Sequence, residues 1–122
     1  MQRINPAVQM GKVKVAIATK GSKGLGDEVA DAFAIAKTFT FATIEGNKVH
    51  MEVLNNPVVS LSYGRGRTVV QMLKSKGIKI VVASEFGPGA SAFLEQNKID
   101  KVVARAGTKV SDVIRDKLYK KR

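Results

Sequence analysis

Hydrophobic and polar positions change period repeatedly along this chain, and each change marks an element. Lys12-Val13-Lys14-Val15 alternates and then passes into unbroken Ala16-Ile17-Ala18, as a strand does on entering a buried sheet. Val29, Ala32, Phe33 and Ala36 follow at i, i+3, i+4 and i+7, with Asp27 and Glu28 just ahead of them. That spacing predicts a short helix of about ten residues, its first turn carrying the acids that the helix dipole favours. Thr38–Ile44 is rich in β-formers, and Gly46-Asn47 is a hairpin signal leading into Lys48–Leu54. In that second strand Val49, Met51 and Val53 share one face, and Lys48, His50 and Glu52 share the other. Asn55-Asn56-Pro57 stops it.

Past residue 64 the helical period takes over. Val69, Met72 and Leu73 form one stripe of a helix over 65–76, Lys74 and Lys76 sit near its negative end, and Gly77 serves as the C-terminal cap. Ile78–Ala83 reads as the fourth strand. Pro88 suits a first helical turn followed by the buried stripe Ala90, Phe93 and Leu94, and Lys101–Ala104 is the fifth strand. Thr108 is placed to cap a last helix that buries Val110, Val113, Ile114 and Leu118. Residues 1–11 lack a clear period and form an N-terminal lead-in outside the core, leaving 12–122 as a single domain.

The predicted order is therefore β, short α, β, β, α, β, α, β, α. Right-handed crossovers make the fourth and fifth strands parallel to the first, with an antiparallel hairpin strand at one edge of the sheet. The C-terminal ends of strands one, three, four and five then share one rim, where open α/β sheets bind ligands. Four glycine- or hydroxyl-rich turns leave that rim: Thr19–Gly26, Ser62–Thr68, Glu85–Gly89 and Arg105–Lys109. Glycine admits a ligand close to the main chain, and a helix N-terminus attracts anions through its N–H groups.

Charge sharpens this picture. Net charge is +11 with a pI near 10.1, which favours polyanionic partners, although a solvated lysine-rich surface accounts for the same numbers. Absence of cysteine removes disulfides, thiolate nucleophiles and thiolate metal sites. The longest apolar run, Ile80–Ala83, is too short to cross a bilayer and residues 1–11 lack a signal-peptide core, so a cytoplasmic chain without membrane association is expected.

Several segments taken together resemble one known family: Lys14-Val15-Ala16-Ile17-Ala18, Asp31-Ala32-Phe33 with Phe39-Thr40-Phe41, Asn56-Pro57 ahead of a glycine-rich helix start, Gly77-Ile78, and Gly87-Pro88-Gly89-Ala90. The pattern, over about residues 12 to 118, is similar to the dinitrogenase iron–molybdenum cofactor biosynthesis family, including its small stand-alone members. What the resemblance implies is an α/β, ribonuclease-H-like three-layer fold with a five-stranded mixed sheet. It also implies a non-enzymatic role in binding or carrying an anionic iron–sulfur or iron–molybdenum-type cofactor, or its precursor, together with cofactor-assembly proteins. Where the family usually has small residues after Asn-Pro, this chain has Gly64-Arg65-Gly66-Arg67. That change adds positive charge suited to an anionic cofactor or a phosphate chain.

The expected cofactor-binding set is Lys20, Lys23, Gly64, Arg65, Gly66, Arg67, Gly87, Gly89, Arg105 and Lys109, with no catalytic residue and no metal ligand. The Tyr63–Thr68 turn leads: its glycines expose main-chain donors and its arginines supply forked ones, unless the glycines serve only the turn. No Gly-Lys-Ser/Thr follows it, which argues against a P-loop, and Gly21, Gly24 and Gly26 are spaced wrongly for a dinucleotide fingerprint. The latter turn reads as flexible or as a lid carrying Lys20 and Lys23. His50, between Lys48 and Glu52, reads as solvated, and Met51 and Met72 read as core. Nuclease chemistry would need converging carboxylates, and the first strand holds none. The alternative function is a nucleic-acid-binding module using the basic face with Lys117, Lys120, Lys121 and Arg122, against which stands the shortage of aromatics beyond Tyr63 and Tyr119.

Overall fold

The computed structural model describes residues 12–58 and 64–118. Five strands form one mixed sheet: β1 (Lys12–Thr19), β2 (Thr38–Glu45), β3 (Lys48–Asn55), β4 (Ile80–Ala83) and β5 (Asp100–Val103), in the order β3-β2-β1-β4-β5. Among the described residues three α-helices accompany them: α1 (Arg65–Ser75), α2 (Pro88–Gln96) and α3 (Val110–Val113), the last continuing as a π-helical segment, Ile114–Leu118. β1 runs antiparallel to β2 and parallel to β4, and β4 runs parallel to β5.

The antiparallel strand is β2, one place in from the edge, and not an edge strand as expected. Its side chains explain the position. Phe39, Ala42 and Ile44 are fully buried on the two faces of β2, so this strand needs neighbours on both sides. β3 keeps its polar face Lys48, His50 and Glu52 exposed and tolerates the edge. Gly46 lies at φ 60° between Glu45 and Lys48, which supplies the left-handed first position of a type II′ hairpin turn.

Alternation along the strands divides the core into two. Ala16, Ala18, Phe39, Val81 and Ala83 face α1 and α2 and pack with Val69, Val70, Leu73, Ala90 and Leu94. Val13, Val15, Ile17, Ala42, Ile44, Ile80 and Val82 face α3 and pack with Val110, Val113, Ile114 and Leu118. Burial of Val113 and Leu118, five residues apart, matches the wider π turn that puts both inward.

The helix expected over residues 27–36 is not formed. A 3₁₀ turn, Gly24–Gly26, is followed by irregular chain whose backbone is committed elsewhere. Val29 N–H donates to the Thr108 carbonyl, Ala30 N–H to Ala18 and Phe33 N–H to Glu85. Carbonyls of Ala34 and Ala36 accept from the Asn56 amide at 2.9 Å each. A ten-residue helix gains little on its own against its nucleation cost, so these tertiary partners win. Val29, Phe33 and Ala36 are buried all the same. The helical spacing identified core positions while misjudging the backbone.

Boundaries differ in smaller ways, strand five running from Asp100 to Val103 instead of Lys101 to Ala104. The last helix is preceded by Lys109 rather than capped by Thr108, whose N–H donates to Arg105 and whose carbonyl accepts from Val29. Strand four begins at Ile80, after Lys79 N–H has bonded to Lys14. Gly77 ends α1 at φ 79°, as expected. The lead-in 1–11 and the tail 119–122 lie outside the described residues.

Candidate functional site

Strand pairing places Thr19, Asn55, Ala83 and Val103, the C-terminal ends of β1, β3, β4 and β5, along one rim of the sheet. The nominated residues all leave this rim, yet they fall into two groups. Residues 27–33 cross between them: Val29 belongs to the α3-side core, and Ala30 and Phe33 to the opposite one.

The first group surrounds the turn after β1. Asp27, only 4% exposed, accepts N–H bonds from Lys23 at 2.9 Å and Glu28 at 2.7 Å. Burial works to raise its pKa, but the backbone donors of Lys23, Glu28 and Gly21 outweigh it and hold the carboxyl below the ordinary value. The glycine-rich turn is thus an anion nest whose anion is the protein's own. Beneath it, the buried hydroxyls of Thr38 and Thr40 meet that of Thr19 at 2.7 and 2.9 Å. Around it, Lys20 pairs with Glu28 at 3.2 Å across half-exposed side chains, which contributes little to stability. Isolated bridges join Thr19 to Val29 and Glu28 to Lys109, bringing the turn after β5 alongside. Arg105 and Lys109 there are exposed and make no ion pair among the described residues.

The second group is made by two helix starts. Gly64 precedes α1 at φ 74°, a conformation that strains any residue with a Cβ. Gly87 precedes α2, with Pro88 in its first turn. Among the described residues no side chain caps either N-terminus, and neither first turn contains an acid. The two starts lie against each other: a Cβ on Gly66 would sit 3.2 Å from the Ala90 Cβ, so glycine is what permits the approach. First-turn N–H groups, including those of Gly66, Arg67, Gly89 and Ala90, have no acceptor within an α-helix and carry the positive end of its dipole. Arg67 lies 4.9 Å over the Phe93 ring, fixed by a cation–π contact along the flank of α2. Arg65 is half-buried at the same start.

This second group unites Gly64, Arg65, Gly66, Arg67, Gly87 and Gly89, whereas Lys20, Lys23, Arg105 and Lys109 stand with the occupied nest. Tyr63 lies outside the described residues, as do Lys120, Lys121 and Arg122. Sequence reasoning missed Asp27 as the occupant of the first turn; an aspartate directly after a glycine-rich loop was the available signal. It also missed Asn56, whose side chain fastens Ala34 and Ala36 and accepts Val58 N–H at 3.0 Å. A cavity of about 270 Å³ on the rim, lined by Thr19, Lys20, Asp31, Ile35 and Lys37 among others, was likewise not foreseen.

The donor set determines what such a site can hold. Among the described residues no three His, Cys, Asp or Glu side chains converge as metal ligands, and His50 is exposed on β3, away from the rim turns. Charge and N–H donors suit an anion bound as a whole. No helix among the described residues is long and apolar enough to cross a membrane.

Comparison with known proteins places this geometry in context. The model of the dinitrogenase iron-molybdenum cofactor family matches residues 11–119. A search of curated proteins found no match. Among solved structures, PH0822 is similar at 29% identity with a TM-score of 0.74, over 89% of this chain and 93% of that one. A NifB-like protein from Thermotoga, described as a DUF35 family member, is 31% identical with a TM-score of 0.66, over 84% of each chain. The apo orange protein from Desulfovibrio gigas, 23% identical, shares the fold at a TM-score of 0.73, over 84% of this chain and 83% of that one.

Proposed function

The chain belongs to the dinitrogenase iron-molybdenum cofactor family, and from that premise we propose that it is a non-enzymatic binding or carrier protein. Its cargo in this reading is an anionic iron–sulfur cofactor of the iron–molybdenum type, or a precursor. The observation that carries the proposal is the pair of abutting helix starts, α1 and α2, with no capping side chain among the described residues and no acid in either first turn. An anion seated there meets main-chain N–H groups and two positive dipole ends, with Arg65 and Arg67 as forked donors. Side-chain coordination of a metal does not fit the described residues, so in this reading the cargo is held through its charge and its sulfide or oxide surface. Lys20, Lys23, Arg105 and Lys109 add long-range attraction that weakens with salt. A ribonuclease-H-like classification, a single domain over 12–122 and a cytoplasmic location belong to the same proposal, the first supported by the β3-β2-β1-β4-β5 order with β2 antiparallel.

The test is the iron, molybdenum and acid-labile sulfide content of protein isolated anaerobically from its own host, beside the Arg65→Ala/Arg67→Ala variant. Metal and sulfide in the native protein and their loss from the variant are expected. Equal content in both, or none in either, overturns the proposal, and nucleic-acid binding by the basic surface then becomes the reading to pursue.

A further inference from the structure

The two outer strands of the sheet are unlike. β5 has four residues, whereas β3 has eight, and among the described residues no strand lies beyond it. Long edge strands are commonly blunted by proline or a bulge, and β3 has neither: its register with β2 is unbroken from Lys48 to Asn55. The two-residue turn determines which backbone groups are spent. Glu45 and Lys48 close it as a hydrogen-bonded pair, so every second pair after it, Thr43 with His50 and Phe41 with Glu52, is also bonded. N–H and C=O groups of Val49, Met51 and Val53 therefore point away from β2.

Side chains follow the same alternation. Val49, Met51 and Val53 are half-buried on the α3 face, where Val49 and Met51 already touch that core. His50 and Glu52 are exposed on the other face, in line with Thr43 and Phe41. Read in both directions from Met51, the strand complements itself: valines stand at two residues on either side, and a histidine and a glutamate at one.

We infer that this chain pairs with a second copy of itself through β3, antiparallel, with Met51 on the two-fold axis. Val49 then faces Val53 of the second copy, and both exchange backbone hydrogen bonds, as do the two Met51 residues. His50 faces Glu52 of the second copy in a non-hydrogen-bonded pair, where Cα atoms come within about 4.5 Å and side chains are nearest. The apolar row Val49, Met51 and Val53 continues the α3-side core across the axis. Sliding the register by two residues sets Glu52 against Glu52 or His50 against His50, and sliding by one puts apolar against charged side chains. Sliding to the His50-centred register pairs Lys48 with Glu52 but sets Val53 against Asn47, whereas the register centred on Met51 sets all three apolar residues against one another and His50 against Glu52. The contact is isologous and closed, and it leaves the rim and its helix starts open. It does not rest on the proposed function.

Sedimentation equilibrium of the full chain at physiological ionic strength, where repulsion between the +11 chains is screened beyond about 8 Å, tests this directly. Concentration-dependent dimer formation is expected for the native protein. Glu52→Lys should weaken it by roughly ten-fold or more, because it removes the carboxylate facing His50 at both symmetry-related places and adds positive charge to two chains that already repel. His50→Glu combined with Glu52→Lys should restore it, since the pairs are exchanged rather than lost. Both positions are exposed, so neither variant disturbs the core. A native chain that stays monomeric to its solubility limit overturns the inference. So does a dimer that ignores Glu52→Lys, or one that the double exchange fails to restore.

Discussion

The two halves of the sheet rim use glycine in opposite ways. After β1, Gly21–Asp27 turns its N–H groups inward onto the Asp27 carboxylate, and the bridges through Val29 and Glu28 lock it to the turn after β5. At α1 and α2, glycine brings two helix starts together and no side chain among the described residues caps them. Both stretches look alike as sequence, glycine-rich with interleaved cations. What separates them is whether the chain supplies its own anion. A filled nest is structure, and an uncapped pair of dipole ends is an opportunity for a ligand.

The sharpest way to break this contrast is to empty the filled nest. Asp27→Ala leaves several partly buried N–H groups without an acceptor and should cost about 3 kcal/mol in denaturant unfolding. Its pH dependence has a definite sign. The folded-state carboxyl lies below its ordinary 3.8, so its stabilisation is present above that pH and is lost as pH falls through the lower folded value. The stability gap between native protein and Asp27→Asn should accordingly close in acid and persist at neutrality. If the gap is flat with pH, Asp27 is not acting as the charged occupant.

Next in size is the fastening of residues 34–36, which supports the divide between the halves. Asn56→Ala removes two donors to Ala34 and Ala36 and the acceptor of Val58 N–H, all nearly buried, and should cost about 2 kcal/mol by the same measurement. At the open half the readout is binding. Arg67→Ala should weaken a bound oxyanion such as molybdate by roughly ten-fold, the value of one charge-assisted hydrogen bond, while Lys109→Ala changes it less than about two-fold. Calorimetric titration of both variants compares the halves; equal losses would mean that only overall charge matters. The smallest effect is expected of Gly66→Ala on stability. Gain in helix propensity of about 1 kcal/mol opposes the 3.2 Å approach to Ala90, leaving a change near zero while the helix starts separate and binding falls.

Much of this architecture could be read from periodicity, because strands and paired helices satisfy their backbones locally. The hairpin at Gly46, the cap at Gly77 and the buried stripe Val69, Leu73 follow from patterns a few residues long. Residues 27–36 misled for the opposite reason. Their apolar positions repeat at helical spacing, but their hydrogen bonds go to Ala18, Glu85, Asn56 and Thr108, partners distant in sequence. The geometry of the candidate site was legible in the same proportion. Gly64–Arg67 and Gly87–Gly89 were recognisable as helix starts. That Gly66 touches Ala90, that Asp27 fills the neighbouring turn and that Arg67 stacks on Phe93 are tertiary facts without a local signature.

Amide chemical shifts of the ¹⁵N-labelled chain, followed by NMR as molybdate is titrated in, test the central contrast most directly. The account predicts saturable shifts at Gly66, Arg67, Gly89 and Ala90, with Gly21, Lys23 and Glu28 unmoved because Asp27 already holds their N–H groups. Shifts centred on Gly21–Glu28, or spread without saturation over the lysines, would contradict it.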